Sequence, residues 1–125
     1  MLLGFIRNHD MQLLSFMDHT PGQGQYRNLE FFKSQIMSSQ QSEEEKERIL
    51  SQRMNRAKLT DEQLAVAADM ALQAGIPIAS HDDDSPEKLD YVTGSLHAEI
   101  CEFPVELEVA IEARRRGMQV VVGAA

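Results

Sequence analysis

A repeating unit constrains the fold of this chain more than any other feature: a helical stretch, a Gly or polar stop, then a short apolar strand. It occurs four times. The first unit runs from Leu2 to Arg7, turns at Asn8-His9-Asp10 and continues as the strand Met11–Met17. The second is a helix from Thr60 to Ala74, a stop at Gly75 and a strand from Ile76 to Ser80. The third is a short helix from Pro86 to Thr93, a stop at Gly94 and a strand from Ala98 to Phe103. The fourth is a helix from Val105 to Arg116, a stop at Gly117 and a strand from Gln119 to Val122. Strands that alternate with helices pair in parallel through right-handed crossovers. The strands are short and mostly apolar, as expected of strands covered on both faces. The expectation is an α/β fold, either a small open sheet or about half of an eight-unit TIM-like (β/α) barrel. A complete barrel takes roughly 250 residues, and this chain has 125.

The helix ends carry their own signals. Thr60-Asp61-Glu62-Gln63 reads as a capping box, followed by apolar Leu64, Ala67, Ala68, Ala71 and Leu72 at helical spacing. Ser85-Pro86-Glu87 supplies an N-cap, a proline at the first helical position and an acid at the positive end of the dipole. Arg114-Arg115-Arg116-Gly117 closes the last helix. Three cations there complement the helix dipole and solvate the surface; a phosphate-binding patch is the alternative use.

Residues 26–58 break the rhythm. Tyr26–Ile36 is amphipathic, and Ser42–Arg56 places Glu43, Glu44, Glu45 and Glu47 before Arg48, Arg53 and Arg56, the order a helix dipole favours. This segment reads as a helical insertion in a single partial barrel domain, either a solvated excursion or a lid.

Composition removes several function classes. Apolar residues make up 42% and charged residues 26%, and the formal net charge is −8. That charge argues against a nucleic-acid partner, which requires a basic face. No window reaches the ~18 apolar residues of a membrane span, and the apolar start lacks a cleavage site, so a cytoplasmic location and no membrane partner are expected. Cys101 is the only cysteine and lies in an apolar run, which favours a buried small hydrophobe over a nucleophile.

In parallel α/β folds, ligands sit beyond the carboxyl ends of the strands. Those ends are polar here: Asp18-His19-Thr20-Pro21-Gly22-Gln23-Gly24-Gln25 after the first strand, His81-Asp82-Asp83-Asp84 after the second, and Glu102-Phe103-Pro104 closing the third. Of the four histidines, His19 and His81 fall in this layer. Imidazole is a common metal ligand, and a neighbouring carboxylate orients it. On spacing alone, loop and capping roles remain open for both. His81 shares strand parity with small Ala79, which leaves room inside a barrel. His9 and His97 lie at the opposite rim, where structural roles are expected. The glycine-bearing loop after His19 could hold a phosphate on backbone N–H groups, although it lacks the Walker pattern and a plain turn is the better reading. No Ser-His-Asp, Cys-x-x-Cys or dinucleotide signature is present; the catalytic chemistry left is metal-assisted hydrolysis.

As an ordered set, Met17-Asp-His-Thr-Pro-Gly-Gln-Gly-Gln25, Ala79-Ser-His-Asp-Asp-Asp84, Glu102-Phe-Pro104, Glu108-Val-Ala-Ile-Glu-Ala113, Gly117-Met118 and Val120-Val-Val-Gly-Ala124 resemble the amidohydrolase superfamily. Within it they are similar to the diphosphatases of the carbon–phosphorus lyase pathway of phosphonate metabolism. The resemblance implies a distorted barrel in which His19 and His81 bind a divalent metal, zinc or manganese. The implied reaction is hydrolysis of a phosphorylated ribose phosphonate with release of pyrophosphate. It implies supporting or substrate-loop roles for Asp18, Gln23, Asp82, Asp83 and Glu102, with Asp82 orienting His81. The family's first-strand His-x-His pair, fourth-strand ligand and eighth-strand aspartate have no counterpart here. The expectation is therefore a partial, truncated chain, inactive alone and self-associating through its open strand edges as a homo-oligomer. Another amidohydrolase, such as a deaminase or cyclic amidase, and a non-catalytic α/β module are the competing readings.

Overall fold

A computed structural model of the chain describes residues 2–18, 42–54 and 59–124. The chain divides into two compact units, one of residues 1–17 with 59–125 and the other of residues 18–58.

The first unit is built from α1 (Leu2–Arg7), β1 (Leu14–Phe16) and, after the second unit, a regular series. In the second unit α2 spans Glu43–Met54. The series continues with α3 (Asp61–Gln73), β2 (Ile78–His81), α4 (Pro86–Gly94), β3 (Ile100–Glu102), α5 (Leu107–Arg115) and β4 (Gln119–Val121). The strands form one parallel sheet in the order β1-β2-β3-β4. The alternation read from the sequence thus gives the pairing it implied. The strands are shorter than expected, and His81 ends β2 instead of following it.

The caps perform as the sequence signals. Thr60 Oγ1 accepts from Gln63 N at 3.1 Å while Gln63 Oε1 accepts from Thr60 N at 2.8 Å, a complete capping box on α3. Ser85 Oγ accepts from Lys88 N at 3.1 Å, with Pro86 opening α4. The expected stop at Gly94 is not where the chain turns. Gly94 is the last residue of α4, and the left-handed residue is His97, φ 58°. Thr93 Oγ1 caps the carbonyl of Leu89 at 2.7 Å, and Ala98 N reaches back to Val92 O at 2.9 Å, so the turn closes later and wider than a glycine stop.

Register sorts the strand residues onto two faces. Leu14, Phe16, Ile78, Cys101 and Val120 share one face and join the hydrophobic core. That core is completed by Ile6 of α1, Ala67, Ala68 and Ala71 of α3, Leu89 and Val92 of α4, and Val109 and Ala113 of α5. The alanine stripe of α3 lets that helix sit close to β2. Burying each larger side chain stabilises the fold by about 1.5–3 kcal/mol before entropy is counted. Ser15, Ala79, His81, Ile100, Glu102, Gln119 and Val121 lie on the other face and contribute nothing to that core. Strands added in sequence with one crossover hand place their helices on one side, as the core composition shows. This arrangement is compatible with part of a β/α fold. Among the described residues no helix is long and apolar enough to cross a membrane.

Candidate functional site

The carboxyl ends of β2 and β3 bring three sequence-predicted residues together. His81 and Glu102 are register partners on adjacent parallel strands, so their side chains leave the sheet on the same, core-free face. Asp82 follows His81 directly, and its Oδ1 lies 3.1 Å from His81 Nδ1, a close charge contact whose angle falls outside hydrogen-bond geometry. The His81 side chain is 15% exposed and Asp82 6%, so this contact is shielded from solvent. A carboxylate against one ring nitrogen is how proteins fix the tautomer and orientation of an imidazole that ligates through the other.

Glu102 is held from across the sheet. Ser15 Oγ of β1 donates to Glu102 Oε2 at 2.6 Å. The two residues are separated by β2, where Ala79 stands opposite Ser15 and Ile100. Ala79 is fully buried, and its single methyl group leaves the bridge room to span β2. Ser15 is a site residue that sequence reading missed. Its parity with Ala79 and His81 was available; the contact was not, because it joins residues 87 positions apart.

Asp83 behaves differently from Asp82. It is fully buried and turns to the core side of the sheet, where its Oδ2 accepts from Ser80 Oγ and from Cys101 Sγ, the latter at 3.3 Å. Ser80 and Cys101 are register partners on that face. Its backbone carbonyl accepts from Val105 N at 2.9 Å. Its Oδ1 has no hydrogen-bond partner among the described residues. Burial first, then the charge of Asp83 and its hydrogen bond, push the Cys101 thiol up to about 12. Cys101 is thus the buried, unreactive residue expected, with one added duty as a weak donor to a carboxylate.

The backbone change between these two aspartates has a cause. Asp82 is left-handed, φ 54°, and Phe103 occupies the equivalent position after β3 at φ 51°. For a side chain other than glycine this costs about 1–2 kcal/mol. Each is held by a bond to the next strand: Asp82 N to Glu102 O at 3.0 Å, and Phe103 N to Val121 O at 2.8 Å. The Phe103 ring lies 5.3 Å from the His81 ring at 60°. It also packs against Gly123, where an added Cβ would come within 2.9 Å of it. Phe103 thus walls one side of the imidazole.

His19, Gln23 and the Thr20–Gln25 loop lie outside the described residues, as does Tyr26–Ile36. Asp18 is half-buried at the start of the second unit. The remaining histidines are structural: His9 occupies a left-handed helix stop, and His97 pairs with Asp69 at 2.8 Å beside its own turn. The three arginines have protein partners. Arg114 donates to Met118 O, Arg115 and Arg116 to Glu112, and Arg116 also to Asp90. This favours the dipole and solvation role over a phosphate patch. Among the described residues no three His, Cys, Asp or Glu side chains are grouped to hold a metal ion. Among the described residues His81 is the one imidazole at this rim.

Parallel strands in sequential order, with carboxylates and an imidazole gathered at their carboxyl ends, are compatible with part of a β/α fold. The chain is 29% identical over 127 residues to the alpha-D-ribose 1-methylphosphonate 5-triphosphate diphosphatase of Escherichia coli (strain K12). The match takes in 95% of this chain and 32% of that protein, so the chain spans about a third of the length of the relative it matches. The similarity fits a piece of a hydrolase of phosphonate metabolism. No family model matches the chain, and neither does any solved structure.

Proposed function

We propose that this chain forms part of the wall of a metal-dependent hydrolase barrel of the amidohydrolase kind. In this reading the barrel hydrolyses an acid anhydride on a phosphorylated ribose phosphonate with release of diphosphate. The observation that carries the reading is the placement of His81 and Glu102, paired in register on the face that stays out of the helix-covered core. In a barrel that face looks inward, and the carboxyl rim is where chemistry collects. The similarity to a diphosphatase supplies the reaction class.

On this reading His19 and His81 each give an imidazole nitrogen to a zinc or manganese ion. Such an ion, when bound, makes water a nucleophile near neutral pH and polarises the electrophile. Asp82 orients His81 through Nδ1. Glu102, anchored by Ser15, sets a carboxylate beside the imidazole, and Phe103 shields that ring from solvent. Asp18 and Gln23 belong to the substrate loop. β1 and β4 each pair on one side only among the described residues, and open edges invite a second copy of the chain. Sedimentation at high concentration tests this; a clean monomer contradicts it.

Calorimetric titration with zinc and with manganese tests the metal reading. The His19→Ala, His81→Ala double variant should bind at least about tenfold more weakly than the parent. Equal affinity in the two proteins sinks it.

A further inference from the structure

We infer that Asp83 is a positioning residue: a buried carboxylate latch that holds the loop after β2 so that Asp82 faces His81 Nδ1. The latch lies on the side of the sheet opposite the candidate site. Ser80, Asp83 and Cys101 are each at most 1% exposed, in a region otherwise lined by core hydrophobics. Ser80 on β2 and Cys101 on β3 both donate to the same Asp83 oxygen, so one carboxylate ties together two strands and its own loop. Its carbonyl adds a third tie, to Val105 N ahead of α5.

A carboxylate does not enter a hydrophobic core without a compensating role. Here the consequence is geometric. Asp83 reaches back to Ser80, three residues earlier, because Asp82 takes a left-handed conformation that reverses the chain. The same reversal leaves the Asp82 carboxylate on the site side, 3.1 Å from His81 Nδ1. A strained residue persists only where its surroundings over-determine it. Asp82 is fixed from one side by its own N–H on Glu102 O and from the other by the latch. Without the latch, the left-handed turn loses a restraint, and the carboxylate facing the imidazole turns away from Nδ1.

The tautomer of His81 reads this out without any metal. The Asp82 charge 3.1 Å from Nδ1 favours the proton on that nitrogen, whereas a free imidazole in water prefers Nε2. Nitrogen NMR of labelled histidine, at alkaline pH where imidazoles are neutral, should find His81 protonated on Nδ1 in the parent. Asp83→Ala should move it to Nε2. Asp83→Asn keeps an acceptor for Ser80 and Cys101 and should remain parent-like. Zinc affinity should fall about tenfold in Asp83→Ala and little in Asp83→Asn. If Asp83→Ala does not fold, Ser80→Ala removes one tie and should shift the tautomer part of the way. An unchanged Nδ1 tautomer in Asp83→Ala, or in Ser80→Ala where Asp83→Ala does not fold, overturns the latch, and so does a parent already protonated on Nε2. The role in ligand placement rests on the metal reading above, but the tautomer does not. A tautomer switch in a protein that binds no zinc upholds the latch and removes the metal centre.

Discussion

The two rims of the sheet use the same unusual backbone conformation for different purposes. At the amino-terminal rim a left-handed residue precedes each of the four strands: His9 at φ 59°, Gly75 at 72°, His97 at 58° and Gly117 at 88°. Three of these turns close identically, with bonds from Asp10 N to Phe5 O, Ile76 N to Ala71 O and Met118 N to Ala113 O. This is the Schellman helix stop, in which the side chain of the left-handed residue is incidental. At the carboxyl rim the left-handed residues are Asp82 and Phe103, and their N–H groups bond to the neighbouring strand. There the side chains flank His81, one at its Nδ1 and the other beside its ring. Strain at one rim ends helices; at the other it aims side chains. The conformation alone is no mark of function: what distinguishes the carboxyl rim is where the attached side chain goes.

The contrast between the rims is most vulnerable at the latch. Asp83→Ala leaves the Ser80 hydroxyl and Cys101 thiol without their shared acceptor in a closed core, and should cost about 1–3 kcal/mol in urea denaturation. A neutral result would show that the carboxyl rim is held by its backbone bonds alone. Next in size is Gly117→Ala. Nothing lies within 4 Å of an added Cβ there, so the cost is purely conformational, about 1–2 kcal/mol. A loss far above that range would mean the amino-terminal turn has a packing role. Smaller still, and of opposite sign, is glycine at the two kinds of strained residue. His9→Gly should stabilise by up to about 1 kcal/mol with no effect on zinc binding. Asp82→Gly should relieve the same strain while weakening zinc binding about tenfold. Matching behaviour of the two variants in calorimetric titration would erase the distinction between the rims.

Much of this architecture is legible in the sequence. The capping box at Thr60, the Ser85-Pro86 start and the Gly75 and Gly117 stops are local signals, decided within a few residues, and each appears where the sequence places it. Parallel pairing followed from alternation of elements. The placement of His81 on the core-free face followed from strand parity with Ala79. What sequence could not supply was anything decided by contacts between distant residues. Asp82 and Asp83 are identical side chains in adjacent positions, and no local rule sends one to the site and the other to the core. That division depends on Ser80 and Cys101 facing each other across two strands. His9 and His97 read as ordinary polar turn residues, because a left-handed histidine is uncommon and glycine is the usual signal. Ser15 escaped notice because a serine in a short strand carries no distinguishing pattern.

The smallest expected effect concerns charge, and it too separates the rims. The carboxyl rim buries Asp82 and Asp83, whereas α5 ends towards the amino-terminal rim with a partly exposed carboxylate, Glu112, between two arginines. Arg115 donates to both Glu112 oxygens, at 2.7 and 2.6 Å, and Arg116 to one at 2.8 Å. Hydrogen bonds from Arg115 and then Arg116 hold the Glu112 carboxyl down from its ordinary 4.5 to about 2. A carboxylate more acidic in the folded chain than in the unfolded one stabilises the fold once it is ionised in both. That contribution is complete above about pH 4.5 and disappears as the pH falls towards about 2. Glu112→Gln should therefore flatten the acid limb of the stability curve in that window and leave the curve above it parallel to the parent. Solvent screening keeps the change slight, and added salt should shrink it further. If the variant instead altered the curve near neutral pH, the Glu112–arginine cluster would be coupled to something other than its own titration. The amino-terminal rim would then share the functional character assigned here to the carboxyl rim alone.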